Sequence, residues 1–232
     1  MKSLKKVLFV VIFLIILIIL ALVLREYIIL NPGKLNKSSP ISREEIMSLL
    51  NKGSNYTNYY FSPEELNSKD NSYGTSETYI KDGVVVNYLN SELFTWENYN
   101  TNESLNFLTK DCKKYVGISH NLEKLSNSQH GIDYSIIAEP EHYSYKYKYL
   151  GETDFEGRTA ILIEMKDNNS VVRFTIDKKT GIILSRKDIS KMFFITTHIV
   201  TTNMHVKINS VTDDDISRPN LNGYTILEET NK

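Results

Sequence analysis

Five histidines and one cysteine are the side chains that could carry metal or nucleophilic chemistry: His120, His130, His142, His198, His205 and Cys112. Two metal ligands on one strand need a spacing of two to share a face. His198 and His205 are seven apart and are expected on opposite faces, so no metal site is predicted. Ser119 and His120 are adjacent, but neighbours in sequence cannot form a triad, and there is no G-x-S-x-G elbow. Cys112 and His120 would pair only if the fold joined them; a lone thiol is expected to be a small buried hydrophobe. Asp213-Asp214-Asp215 lacks the glycine and glutamate of a calcium loop and reads as a solvated turn. These residues predict a protein that is not an enzyme and needs no cofactor.

The remaining candidates are aromatic. Tyr143, Tyr145, Tyr147 and Tyr149 are spaced by two, which on one strand puts all four rings on one face and Ser144, Lys146 and Lys148 on the other. They could line an amphipathic cavity that takes an acyl chain or a glycan. The competing reading is cross-strand aromatic packing beneath helices, and abundant, strand-prone tyrosine favours it. Trp96 has the same two readings, with core favoured.

Elements must position these side chains, and the first of them is apolar. Val7 to Leu24 is unbroken hydrophobic sequence, about 27 Å long at ~1.5 Å per residue and close to a bilayer core of ~30 Å. Lys2, Lys5 and Lys6 precede it and hold that end in the cytoplasm. The run is too long for a signal-peptide core and lacks a small-x-small cleavage site, so it reads as an uncleaved anchor. The expected organisation is a cytoplasmic tail (1–6), a transmembrane signal anchor (7–30), a linker (31–40) and an outer domain (41–232). Beyond the anchor there are 23 basic and 27 acidic residues, with no basic run. Neither nucleic acid nor an anionic headgroup layer has an evident binding patch in this composition. Scarce alanine with abundant Asn, Lys, Ile and Tyr matches the AT-rich codons of a low-GC Gram-positive bacterium.

In the outer domain, Ser42-x-x-Glu45 is a capping-box signature, and Ile46, Leu49 and Leu50 give one short amphipathic helix ending at Gly53. Residues 56–73, polar and Tyr-rich, read as loop with room for one irregular strand. Thr75–Lys81 and Val84–Asn90 flank Asp82-Gly83, a strong hairpin signal, and Leu93–Tyr99 follows as a strand. Leu105, Leu108 and Cys112 have near-helical spacing, so 101–126 is predicted as one or two helices. Strands are then expected at Ile132–Ala138, His142–Glu152, Arg158–Lys166, Ser170–Asp177, Gly181–Asp188 and Met192–Ile208, joined by short turns into an antiparallel meander. The predicted class is α+β: a curved antiparallel sheet with helices on its concave face.

One stretch resembles a known family. Tyr149-Leu150-Gly151-Glu152-Thr153, then Phe155-Glu156-Gly157-Arg158-Thr159, the strand Ile161-Leu162-Ile163-Glu164, Phe174-Thr175-Ile176-Asp177 and Thr180-Gly181-Ile182-Ile183-Leu184 are similar to the lipoprotein-sorting (LolA/LolB/RseB-like) superfamily. The resemblance implies an open half-barrel closed by helices over about residues 41–227. Among Gram-positive members it points to anchored envelope proteins like the germination lipoprotein of spore-formers, which binds and activates a cortex amidase. This chain departs from that protein in having an apolar helix where the other has a lipidated cysteine. The implied partners are the membrane and an envelope protein, in sporulation, germination or wall remodelling; the alternative is a lipid or other amphiphile held in the half-barrel. Sorting itself does not carry over to a fixed anchor.

Overall fold

The computed structural model describes residues 2–36, 38–66, 75–122, 128–129, 132–192 and 195–227. The chain opens with α1 (Lys2–Leu30), of which Phe9–Leu30 has a mean hydropathy of 3.0 and is not buried by the rest of the protein. It is long and apolar enough to cross a membrane. The second helix is α2 (Arg43–Ser54). Then come β1 (Asn58–Leu66), β2 (Ser76–Lys81), β3 (Val84–Leu89), β4 (Glu92–Asn98), β5 (Glu103–Lys110) and β6 (Lys113–Ser119). A two-stranded pair, β7 (Ser128–Gln129) and β8 (Ile132–Asp133), leads into the one-turn α3 (Ser135–Ala138). The chain continues through β9 (Lys146–Phe155), β10 (Arg158–Lys166), β11 (Ser170–Asp177), β12 (Ile183–Met192), β13 (Ile195–Ile208) and β14 (Thr225–Leu227).

Twelve of these strands form one large curved sheet, in the order β14-β6-β5-β4-β3-β2-β1-β13-β12-β11-β10-β9. It is mixed, not purely antiparallel as expected: β14 returns after a long excursion and pairs parallel to β6, which a tight hairpin could not do. Four hairpins turn on residue pairs at positive φ, Asp82-Gly83, Asn90-Ser91, Asp111-Cys112 and Glu156-Gly157, as the type I′ turn requires.

The predicted helices at 101–126 are instead the hairpin β5–β6 within the described part of that range. Ser104 and Leu105 are buried and Phe107 follows, a period-two pattern that the leucine spacing obscured. Positions 123–126 of that predicted range lie outside the described residues, as does His130. The stretch 56–73, expected as loop with room for one irregular strand, contains the nine-residue β1, which pairs with both β2 and β13 and so joins the two halves of the sheet. Ile132–Ala138 is a two-residue strand followed by α3, because Ile136 and Ile137 both turn into the core. The strand predicted from His142 starts at Lys146; Ser144 sits at φ 58, which breaks the extended run.

Helix α2 forms as its cap predicts. The Ser42 hydroxyl accepts from the Glu45 amide at 3.2 Å, and the Glu45 carboxylate accepts from the Ser42 amide at 2.8 Å. Ile46 and Leu50 are fully buried by this helix against β10–β13. Its far end rests on the β11–β12 turn, where Gly181 takes φ 78 and a Cβ would lie 1.8 Å from the Leu49 carbonyl oxygen. Only glycine allows both that backbone conformation and that approach.

Candidate functional site

The core changes faces across the sheet. Over β9–β13 and β1 it lies on the face that carries α2 and α3, with Ile163, Phe174, Ile183 and Met204 as its floor. Over β3–β6 it lies on the opposite face. There Val86, Trp96, Leu105 and Val116 pack beneath the C-terminal segment through Ile216, Leu221 and Tyr224. The change happens at β1–β2. One cross-strand row reads Val206, Phe61, Thr78, Asn87, Thr95, Asn106, turning from apolar to polar. Within it the Thr78 hydroxyl donates to Asn87 Oδ1, and Asn87 Nδ2 donates to the Thr95 hydroxyl, each at 2.7 Å.

On the helix-bearing face this leaves a groove of about 700 Å3 between β12–β13 and β1–β3. Its apolar part comes from Phe61, Pro63, Ile80, Val85, Ile132 and Met204. Arg186 and Asp188 stand at one side, bound to each other at 2.9 Å, and Arg186 Nη1 donates to the Asp133 carbonyl at 2.7 Å. That pairing neutralises the only arginine of the lining, and the rest of it is apolar or neutral except for Asp133. The dimensions match ligand pockets generally, which run from about 300 to 1,000 Å3.

The aromatic residues singled out from the sequence fall in other places. Trp96 is on the opposite face, 3% exposed, and its indole N–H donates to the Ile216 carbonyl at 3.0 Å. Tyr145, Tyr147 and Tyr149 do share one face and pack against the main core. Their hydroxyls bond Ser170, the Ile41 carbonyl and Ser38 respectively. Burial pushes the Tyr147 hydroxyl up to about 12, with Tyr149 adding to it. Tyr143 is separated from the other three: it lies in the turn before β9, exposed, edge-on to His142.

The polar candidates do not converge. Cys112 is exposed at the β5–β6 turn, at φ 58, and is not the buried hydrophobe expected. His120 follows the far end of β6, about 26 Å away at ~3.3 Å per strand residue, so the two do not meet. His205 faces Glu64 at 3.1 Å and Glu156 at 3.6 Å. Asp213 pairs with Lys81, and Asp215 accepts from the Thr212 amide and hydroxyl, which holds its carboxyl below the usual range. Among the described residues no group of three His, Cys, Asp or Glu side chains could hold a metal ion.

No protein-family model and no curated protein sequence matches the chain. Solved structures do. MucB in complex with MucA(peri) is similar at a TM-score of 0.41 and 14% identity, over 77% of this chain and 60% of that one. The lipoprotein LppX of Mycobacterium tuberculosis is similar at 0.38 and 11%, over 75% and 98%. A putative outer membrane lipoprotein-sorting protein domain from Vibrio parahaemolyticus is similar at 0.26 and 11%, over 75% and 97%. The chain thus spans less than two thirds of the MucB chain. A likeness of this degree carries no residue, ligand or partner across.

The groove residues escaped the sequence reading because they come from six strands and the residue after β4, none contributing more than three side chains. The available signal was the inward polar set Thr78, Asn87 and Thr95, whose parity conflicts with a single continuous core face.

Proposed function

We propose that the protein is a single-pass, membrane-anchored binding module outside the cytoplasm, without catalytic activity, whose groove holds a segment of another envelope protein. The observation that supports this most is the core's change of face, which leaves an open groove on the face that carries α2 and α3. On this reading α2 and α3 lie on the concave face and flank the groove. The anchor, α1, keeps the module near membrane-bound partners and raises their effective concentration. A second reading, a lipid or other amphiphile, is favoured by the apolar floor of Phe61, Ile80 and Met204.

A photo-crosslinking residue at Ser76, which is half-buried in the groove wall, distinguishes them in the full chain in its own membrane. The expected product is a protein adduct that maps to one segment of one partner and disappears with Val85→Arg. An adduct of lipid mass selects the second reading. A groove that crosslinks to neither overturns both.

A further inference from the structure

The outer domain carries more acid than base, and no basic run occurs in it. Strand register nevertheless gathers bases on the face opposite the helices. One cross-strand row there is Lys148, Glu164, Arg173, Lys187. The next begins Lys146, Lys166. Lys191 closes the set at the end of β12, where it pairs with Thr196. The only carboxylate in these rows, Glu164, is taken up by Arg173, whose Nε and Nη2 bind its Oε2 at 3.0 and 2.9 Å.

This face is also where the apolar helix arrives. Glu26 of α1 accepts from the Thr196 amide at 2.8 Å and from its hydroxyl at 2.6 Å. Arg173 Nη2 donates to the Leu30 carbonyl, the last residue of α1, at 2.5 Å. A cavity of about 260 Å3 opens beside Leu30, walled by Lys148, Glu164, Lys166, Arg173 and Lys191. The bases therefore stand at the level where α1 leaves the bilayer.

We propose that this cavity and the lysines around it bind the headgroup of an anionic phospholipid in the leaflet that α1 leaves. The inference rests on α1 being a membrane anchor. The chemistry required is a phosphate-bearing anion with its tail directed along α1, and the geometry offers four cations around one opening with a single, already paired carboxylate. Burial, and after it the neighbouring Arg173, push the Lys187 ammonium in the same row below its ordinary value. The other acids near this end are Glu26, bound to Thr196, and Asp167, which accepts from the Asn169 and Ser170 amides.

The test uses the full chain in nanodiscs of equal phosphatidylglycerol and phosphatidylcholine, released into native mass spectrometry. The expected result is retention of phosphatidylglycerol over phosphatidylcholine, falling at least about tenfold in Lys148→Gln/Lys166→Gln/Lys191→Gln, since each base near an anionic surface adds a comparable increment. None of those lysines is in the core. Equal retention of the two lipids, or a preference unchanged in the triple variant, overturns the proposal. Stripping of the lipid by millimolar inorganic phosphate would make this a free-anion site and overturn it too. Failure to enter pure phosphatidylcholine discs sinks the anchor reading separately.

Discussion

At the residue scale, two glycines at positive φ separate backbone strain from contact. Gly181 and Gly157 have nearly the same φ, 78 and 77, but a Cβ on Gly157 meets nothing within 4 Å, whereas one on Gly181 runs into the Leu49 backbone. Gly157→Ala should cost about 1–2 kcal/mol, the left-handed penalty alone. Gly181→Ala must also push α2 off the β11–β12 turn and should cost clearly more. Thermal unfolding of the two variants in detergent measures the difference, and equal losses would mean that α2 does not bear on that turn. The sequence announced Gly181 through Asp177-Lys178-Lys179-Thr180-Gly181, but nothing local said what lies above it. Cys112 was misread for the converse reason: a thiol is usually buried, and Asp-Cys is not a usual pair for a turn that needs two positive φ values.

At the scale of elements, hairpins closed by a glycine were legible, and β10 and β11 begin and end where the alternation places them. The β5–β6 hairpin was not, because Leu105, Leu108 and Cys112 satisfy a helical spacing as well as chance allows while Leu105 and Phe107 carry the true period of two. What holds this half of the sheet is the C-terminal segment, pinned by Arg218 to Glu103 at 2.8 Å and packed over Trp96. Arg218 holds the Glu103 carboxyl below its usual range, and Thr212 does the same for Asp215. A carboxylate with a depressed folded value stabilises fully above its unfolded value and loses that contribution as pH falls through the folded one. The segment should therefore loosen below the ordinary carboxylate range of about 4. Trp96 is the only tryptophan, so its emission should shift red in that window, ahead of global unfolding by circular dichroism. Arg218→Ala should move the change to higher pH. An emission that stays constant until the whole sheet unfolds would show that these pairs do not hold the segment.

At the scale of the whole molecule, α1 and the sheet are joined by a segment that is itself bonded to the sheet. After Leu30 the chain crosses the basic face, pairs Asn36 with Glu152 at the β9 edge, and turns to the helix face, where Ser38 and Ile41 meet Tyr149 and Tyr147. The polar composition of 31–40 could not reveal this, because its contacts with β9, Asn36 to Glu152 and Ser38 to Tyr149, join residues more than a hundred apart. The groove and the basic face were hidden for the same reason: both are products of register. The contacts of α1 also set the domain's direction. Glu26 meets Thr196 at the β12–β13 tip, and Leu30, one turn further out, meets Arg173, which lies opposite Lys187 in mid-strand. Moving outward along α1 is therefore moving away from that tip along the strands. On the proposed anchor reading, the tip, with Met192 63% exposed, is expected at the bilayer surface, and the β11–β12 turn about 30 Å along β12 from it, at ~3.3 Å per residue. Nitroxides at Met192→Cys and at Lys179→Cys, each in a Cys112→Ser chain reconstituted in vesicles, test this by their accessibility to oxygen and to a water-soluble nickel chelate. The label at 192 should favour oxygen and the label at 179 the chelate. If both favour the chelate equally, the domain swings free of the membrane, and the contacts between α1 and the sheet do not persist in the bilayer.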